Sequence, residues 1–173
     1  FAMRDTSEYK KLNDFLTKKG LNGLIFDTLF DFSDLLENNN SCYLTNGIDD
    51  LKKLETNSID FVFSQATLEH IPFYDFIATQ EQIHRILKPS GIVSHNIDLR
   101  DHLDVSLNNL RFSERIWESD LMAKSGFYTN RIRYSEMLTI FKKTGFKVDA
   151  TIIETWDKLP IPRSKLSHDF KDL

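Results

Sequence analysis

A short run of chemically active side chains follows an apolar segment, 92–98, that predicts a buried strand. The run consists of Asp98, Arg100, Asp101 and His102. Ionisable groups beside a buried strand are costly unless they are paired or used. His102 or Asp101 could act as a general base, and Arg100 could bind an anionic group of a substrate. The alternative is a structural cluster of Arg–Asp salt bridges that fixes the loop.

The composition limits the classes of function. The chain has 173 residues, of which 40% are hydrophobic and 28% charged, which is usual for one globular domain. Its net charge of -4 argues against general nucleic-acid binding, because phosphate recognition needs a basic surface. No apolar run is long enough for a membrane span and no secretory signal precedes the first helix, so we expect a cytoplasmic protein. We expect Cys42, the only cysteine, to be a buried thiol.

The spacing of apolar residues predicts alternating helices and strands. A first helix should begin at Thr6 or Ser7 and end near Lys19, and the segment 21–37 fits either a helix or irregular structure. Further helices are predicted at 73–87 and 135–144, and strands at 42–45, 59–64, 92–98 and 146–156. The strand at 59–64 is apolar enough to be buried on both faces, as in a parallel sheet. This order is typical of an α/β fold with crossover helices.

Three motifs carry a resemblance to a known family. They are N-S-I-D-F-V-F-S-Q-A-T-L-E-H-I at 57–71, R-I-L-K-P-S-G at 85–91 and T-G-F at 144–146. In this order and spacing they resemble class I S-adenosylmethionine-dependent methyltransferases over residues 41–155. The resemblance implies a Rossmann-like α/β sheet with crossover helices and a single, partial methyltransferase domain at 1–173. The family's acidic-x-G-x-G-x-G loop occurs nowhere in the 173 residues, so we expect the sheet to be incomplete at its N-terminal side.

Two further runs resemble a narrower group. S-H-N-I-D-L-R-D-H at 94–102 and F-Y-T-N-R-I-R at 127–133 are similar to bacterial methyltransferases found beside surface-polysaccharide genes. The resemblance implies S-adenosylmethionine as methyl donor and a small-molecule or saccharide acceptor. It also implies that the insertion 99–133 lies on the acceptor side. Without the glycine-rich loop, we expect the chain to bind the donor weakly or not at all.

Ligands of open α/β sheets bind beyond the carboxyl ends of the strands. The resemblance therefore places the donor against two sets of residues, which are Asn46, Gly47, Ile48 and Asp49, and Ser64, Gln65 and Ala66. Asn46 or Asp49 would contact the adenine, and Ile48 would pack on its ring. The alternative for the first set is a turn that favours Asn-Gly.

The acceptor side follows from the same resemblance. Methyl transfer is an in-line displacement, so the enzyme mainly aligns the acceptor, and a hydroxyl acceptor also needs a base. Asp101 and His102 are the predicted catalytic residues. The predicted substrate-binding residues are Arg100, Tyr128, Asn130 and Arg131. The alternative for the last three is a surface loop with scattered charge.

The remaining candidates are the pair Glu69-His70, a metal site and a non-catalytic function. The pair Glu69-His70 could lie near the sulfonium, but we favour the start of a helix before Pro72, with the histidine bonded to the backbone. No metal site is predicted, because the histidines and carboxylates lack the spacing of a ligand motif. A rival function is a non-catalytic module of the same fold, whose unpaired sheet edge would favour a homodimer.

Overall fold

The computed structural model describes residues 7–25, 31–104 and 106–172. The chain divides into two compact units, Phe1–Thr45 and Asn46–Leu173. The predicted cap residue Thr6 and the segment 26–30 lie outside the described residues, as do 105 and 173.

The first unit contains helices α1 (Ser7–Lys18) and α2 (Phe32–Asn38). The predicted first helix is confirmed and ends one residue earlier than expected. Two asparagines clamp the segment that follows it. Asn13 bonds both the N–H and the carbonyl of Leu24, at 2.6 and 2.9 Å. Asn39 does the same for Ile25, at 2.9 and 2.8 Å, so this unit is held largely by side-chain-to-backbone bonds.

The predicted strand at 42–45 is wrong. The segment has no ladder partner among the described residues and is exposed throughout. Tyr43 is 70% exposed, and its ring lies edge-on to that of Phe32, at 5.6 Å between centroids. The prediction of a buried Cys42 is wrong for the same reason, because the thiol lies on this exposed segment.

The second unit is built around one β-α-β element. Strand β1 (Ile59–Gln65) and strand β2 (Leu87–Asn96) pair in parallel, and α4 (Phe73–Ile86) connects them. The remaining helices of this unit are α3 (Ile48–Lys53), α5 (Glu114–Trp117), α6 (Asp120–Ala123) and α7 (Tyr134–Lys143). Single 3-10 turns lie at Leu68–His70, Asn108–Arg111, Arg163–Lys165 and His168–Phe170. The small parallel sheet with helices agrees with the predicted α/β class but holds only two strands in the described part of the chain.

The helix-to-strand passage at α4 is abrupt. The predicted end of the helix before Lys88-Pro89 is confirmed: α4 ends at Ile86, and strand β2 begins at the next residue. Proline lacks the N–H that a helix needs at that point. The register then shifts between the pair Ile59–Leu87 and the pair Phe61–Ile92. Regular pairing from there to Gln65 and Asn96 brings both carboxyl ends to one edge.

The core lies on one face of this sheet. Its buried members are Leu68, Phe76, Ile132, Met137, Ile140 and Phe141. A second cluster joins Leu107 and Leu110 to Ile161 and Leu166. The expectation that β1 is buried on both faces is wrong, since Phe61 and Phe63 are 56% and 73% exposed. Alternate residues of a strand point to opposite faces, and the described core covers only the face of Ser64.

The predicted strand at 146–156 is also wrong. Helix α7 ends as predicted before Gly145, which has a φ of +102°. Phe146 and Val148 then pack against the first core cluster. No ladder forms among the described residues of this segment, and Ile152 is 83% exposed. Apolar alternation was present, but a strand needs a neighbour to accept its hydrogen bonds.

Candidate active site

The predicted donor-side residues Ser64, Gln65 and Ala66 lie at the carboxyl end of β1. Ala66 has a φ of +47°, an uncommon value for a residue with a side chain. Its N–H donates to the carbonyl of Asn96 at 2.9 Å. The turn after β1 is therefore tied to the end of β2, which keeps the two strand ends together.

Ser64 is joined to β2 through a side chain. Its Oγ lies 2.8 Å from Nδ1 of His95, its partner in the register. The His95 ring stacks on Phe141 of α7, with 6.0 Å between centroids. Burial lowers the pKa of His95 below its ordinary value of 6.5. Burial therefore favours the neutral form of this imidazole in the native protein.

This burial predicts a pH-dependent stability. Below pH 6.5 the unfolded chain binds a proton at His95 that the folded protein resists, so stability falls with decreasing pH and levels off below the folded pKa. His95→Gln should flatten this slope in urea unfolding measured from pH 7.5 to 5. His84→Gln, at an exposed histidine of α4, should leave the slope unchanged. An unaltered slope in His95→Gln would assign the effect to other groups.

Glu69 connects three segments of the site although it is only 1% exposed. Its Oε1 accepts from the N–H of Asp98 at 3.3 Å, and its carbonyl accepts from the N–H of Asn130 at 2.7 Å. Its Oε2 has no hydrogen-bond partner among the described residues, and neither do Oδ1 of Asn109 and Nε of Arg131. All three residues line a cavity of about 10 Å³, which is room for about one water molecule.

Asp98 and Arg100 form the salt bridge that the sequence allowed. Arg100 donates from Nε to Oδ1 of Asp98 at 2.9 Å and from a terminal nitrogen to Oδ2 at 2.7 Å. The backbone N–H of Arg100 also donates to Oδ1, at 3.0 Å. The Arg100 hydrogen bond holds the pKa of Asp98 below its usual range. The guanidinium remains half exposed and borders the loop that follows β2.

Asp101 is a buried loop anchor with 1% exposure. Its Oδ1 accepts from the N–H groups of Leu103 and Asp104, at 2.9 and 2.8 Å. Its Oδ2 accepts from the N–H of Asn108. Both carboxylate oxygens are therefore occupied by the backbone. This geometry favours a structural role over the predicted role as a base.

His102, the other predicted catalytic residue, is exposed and meets a residue from the other strand end. Its ring lies edge-on to His70, with 4.7 Å between centroids and an interplanar angle of 69°. Nδ1 of His70 is 2.9 Å from the carbonyl oxygen of Tyr128. The backbone bond predicted for His70 is thus present. Two imidazoles, one after each strand, share a surface beyond the carboxyl edge.

Tyr128 and Asn130, two predicted substrate-binding residues, are buried in the protein. The Tyr128 hydroxyl donates to Oε2 of Glu118 at 2.7 Å, and burial is the main reason that its pKa is raised. The Asn130 amide donates to the carbonyls of Leu68 and Ile71, at 2.8 and 3.0 Å. These contacts position the turn that carries His70 and leave neither group facing outward.

Arg131, the third predicted residue of this run, is 6% exposed. It donates to the carbonyl of Phe112 at 2.9 Å and to Glu118 at 3.3 Å. Its guanidinium lies over the rings of Trp117 and Phe170, at 5.7 and 4.9 Å. Burial lowers its pKa. The run 128–131 is therefore a buried support and not the surface loop of the alternative.

The residues predicted to contact adenine lie at the start of α3. Asn46 bonds Asp50 through its N–H at 2.8 Å and through its amide at 3.1 Å. Asp49 is exposed and pairs with Lys52 at 2.9 Å, whereas Ile48 is half-buried. Gly47 has a φ of +54°, and a Cβ there would meet nothing within 4 Å. The Asn-Gly pair therefore serves the turn of the alternative and leaves open space around Gly47.

Sequence reasoning missed the residues whose importance depends on distant partners. Asp50 is one of these, since its buried carboxylate holds Asn46 and a hydrogen bond from Lys53 lowers its pKa. Glu118 is another, because it receives both Tyr128 and Arg131. The available signal was the excess of charge in a segment with buried aromatics, which requires pairing.

A metal site and a membrane-spanning helix are both absent from the described residues. These residues contain no group of three or more His, Cys, Asp or Glu side chains that could hold a metal ion. None of the described helices has the length and apolar character needed to cross a membrane.

Residues 28–94 match the family model of a methyltransferase domain. No curated protein and no solved structure matches the chain. The matched segment includes β1, the Leu68–His70 turn, α4 and most of β2. The chain is therefore similar to a methyltransferase domain over less than half of its length, in a segment that includes the carboxyl end of β1 and stops before that of β2. This similarity supports a class I S-adenosylmethionine-dependent enzyme.

Proposed function

We propose that this chain is part of an S-adenosylmethionine-dependent methyltransferase acting on a hydroxyl group of a small-molecule or saccharide acceptor. One observation carries the proposal. Two exposed histidines meet beyond the carboxyl edge of the parallel strands: His70 lies within the segment similar to a methyltransferase domain, and His102 follows that segment. That edge is where α/β sheets bind ligands.

The donor would be held by backbone more than by side chains. The chain turns away from β1 at Ala66, and the backbone at Gly47 has no neighbouring atoms where a side chain would project, which leaves it accessible to a ligand. Asp49 is the more accessible polar contact, because the Asn46 amide is engaged by Asp50. Bound donor would supply an electrophilic methyl group. The residues present fit the adenine edge, but no glycine-rich loop in the sequence supports the ribose and methionine portion.

This partial fit predicts weak donor binding. Calorimetric titration of the 173-residue chain with S-adenosylhomocysteine should give no measurable heat of binding, because the principal cradle for the ligand is absent from the sequence. Dissociation in the sub-millimolar range would contradict this expectation. It would mean that the strand-end residues suffice to hold the ligand.

The gene upstream of Phe1 provides the test of function. We expect the reading frame to encode a strand and a G-x-G-x-G loop before this residue. The product of the whole frame should release S-adenosylhomocysteine from S-adenosylmethionine with at least one member of a panel of monosaccharides and nucleotide sugars. A start codon near Met3 together with no turnover on the panel would refute the proposal.

A non-catalytic interaction module is the second candidate. The observation that favours it is the exposed apolar face of the sheet, formed by Phe61, Phe63 and Ile92. Large exposed apolar patches commonly mark contact surfaces. Sedimentation equilibrium of the chain, compared with Phe63→Lys, separates the two functions. A dimer that this substitution abolishes, without any methyl transfer by the whole reading frame, would favour the module.

A further inference from the structure

We infer that His70 is the catalytic base of this site, with its Nε2 facing the acceptor and His102 beside it. The inference rests on the proposed function and adds a residue to it. Asp101 cannot take this role without breaking its bonds to three backbone amides. His70 differs from it in being exposed and in keeping one ring nitrogen free of a described protein partner.

The hydrogen bond at Nδ1 fixes the state of the ring. A carbonyl oxygen can only accept, so the 2.9 Å contact with Tyr128 requires a proton on Nδ1 of His70. The neutral ring then carries its lone pair on Nε2. Which nitrogen of a histidine is basic is commonly set by the bond that the other nitrogen makes. Nε2 of His70 is therefore the atom able to accept a proton.

The partner carbonyl is itself held in place. Tyr128 is 2% exposed, and its hydroxyl both donates to Glu118 at 2.7 Å and accepts from the N–H of Phe73 at 3.1 Å. Asn130 grips the turn around His70 through the carbonyls of Leu68 and Ile71. The ring of His70 is thus oriented from both ends of the segment that bears it. Such support is what a base needs for a defined direction of proton transfer.

His102 completes the surface from the second strand. Its ring meets that of His70 edge-on, at 4.7 Å between centroids. The Asp98–Arg100 pair stands just before it in the same loop, with the guanidinium half exposed. We assign His102 as a positioning residue that limits rotation of His70. Arg100 would bind an anionic part of the acceptor next to the reacting hydroxyl.

The reaction step balances with these residues alone. Nε2 of His70 takes the hydroxyl proton and becomes positively charged, while the acceptor oxygen forms a bond to the methyl carbon. The bond between that carbon and the sulfonium sulfur breaks, and sulfur keeps the electron pair as a neutral thioether. The positive charge of the sulfonium is thereby replaced by that of the imidazolium, which later loses the proton to water.

Two substitutions separate a base from a purely structural histidine. His70→Asn keeps an amide donor near the position of Nδ1 but removes Nε2. In the whole reading-frame product we expect it to lower kcat by about 100-fold or more, with S-adenosylhomocysteine affinity and melting temperature unchanged. His84→Asn is the matched control at an exposed histidine of α4. It should leave kcat, S-adenosylhomocysteine affinity and melting temperature unchanged. Activity of His70→Asn within about threefold of wild type would overturn the inference.

Two readouts do not depend on finding the acceptor. Nitrogen-15 NMR of the histidine rings should show His70 protonated at Nδ1 and unprotonated at Nε2. Diethyl pyrocarbonate, which acylates an accessible unprotonated ring nitrogen, should modify His70 at Nε2 in a mass-spectrometric map. A protonated Nε2, or a His70 that resists the reagent, would overturn the inference. Absence of turnover in the wild type would refute the proposed function instead, and these two readouts would still decide the state of His70.

Discussion

Replacement of Arg131 by methionine is expected to lower the free energy of unfolding by about 3–5 kcal/mol. The Arg131 side chain is 3% exposed and the Glu118 side chain 19%. Loss of the guanidinium removes the cation that pairs with the Glu118 carboxylate. Because Glu118 is largely buried, water cannot fully replace that cation. The Phe112 carbonyl also loses its donor. Urea unfolding followed by tryptophan fluorescence measures the change, since Trp117 lies beneath Arg131.

The double variant Arg131→Met, Glu118→Gln tests whether the loss of stability comes from the unpaired Glu118 carboxylate. Neutralising the stranded carboxylate should recover part of the loss, and a glutamine oxygen still accepts from the Tyr128 hydroxyl. A single variant that loses less than about 1 kcal/mol would show that the pair contributes little, as exposed ion pairs do. A double variant no more stable than the single one would locate the effect in lost packing on Trp117.

Replacement of Asp101 by alanine is the second change with a large expected effect, about 3 kcal/mol of unfolding free energy. Its carboxylate accepts from the N–H groups of Leu103, Asp104 and Asn108. Asp101 is only 1% exposed. Alanine at this position would leave the three N–H groups without their acceptor. Hydrogen bonds to a charged group are among the stronger ones, and unsatisfied donors add a desolvation cost. Chemical denaturation again gives the measurement.

Asp104→Ala provides the matched control in the same loop. Its side chain is exposed, so its removal should change the unfolding free energy by no more than about 0.5 kcal/mol. Asp101→Ala protein that unfolds like wild type, yet transfers no methyl group in the whole reading-frame product, would restore Asp101 as the base. That result would also remove the main argument for His70.

The strand predicted at 59–64 is β1, and the one predicted at 92–98 overlaps the end of β2. The helices predicted correctly are those whose signals are local. Helices α1, α4 and α7 follow from apolar residues at helical spacing and from stops at Gly20, Pro89 and Gly145. Each of these signals acts within a turn or two of the chain.

The strands at 42–45 and 146–156 failed because a strand is completed by its neighbour. Their sequences alternate as strands do, but the described residues offer them no ladder. The burial of β1 failed for a related reason. Phe61 and Phe63 are as apolar as core residues, and only the layer that covers a face decides whether they are buried.

The sequence predicted a candidate site beyond the carboxyl ends of the strands, but it did not report the long-range contacts of the residues there. The rule that ligands meet the carboxyl ends of parallel strands drew attention to Arg100 and His102, which follow β2. The state of His70 depends on Tyr128, which is 58 residues away along the chain. Asn130 reaches Leu68 over 62 residues. No local pattern reports contacts of this range, so the burial of Tyr128, Asn130 and Arg131 could not be predicted from the sequence.

Gly145 is a residue of the T-G-F motif whose requirement is structural and does not depend on catalytic activity. Its φ of +102° suits glycine, and a Cβ at this position would lie 2.7 Å from Nε2 of His84. A side chain at this position would be strained by the positive φ and would have to displace the ring of His84, whatever reaction the protein performs. A descendant that had abandoned catalysis would therefore be bound to keep this glycine while being free to lose His70. If His70 is the base that we propose, its presence among diverged copies would separate working enzymes from inherited scaffolds.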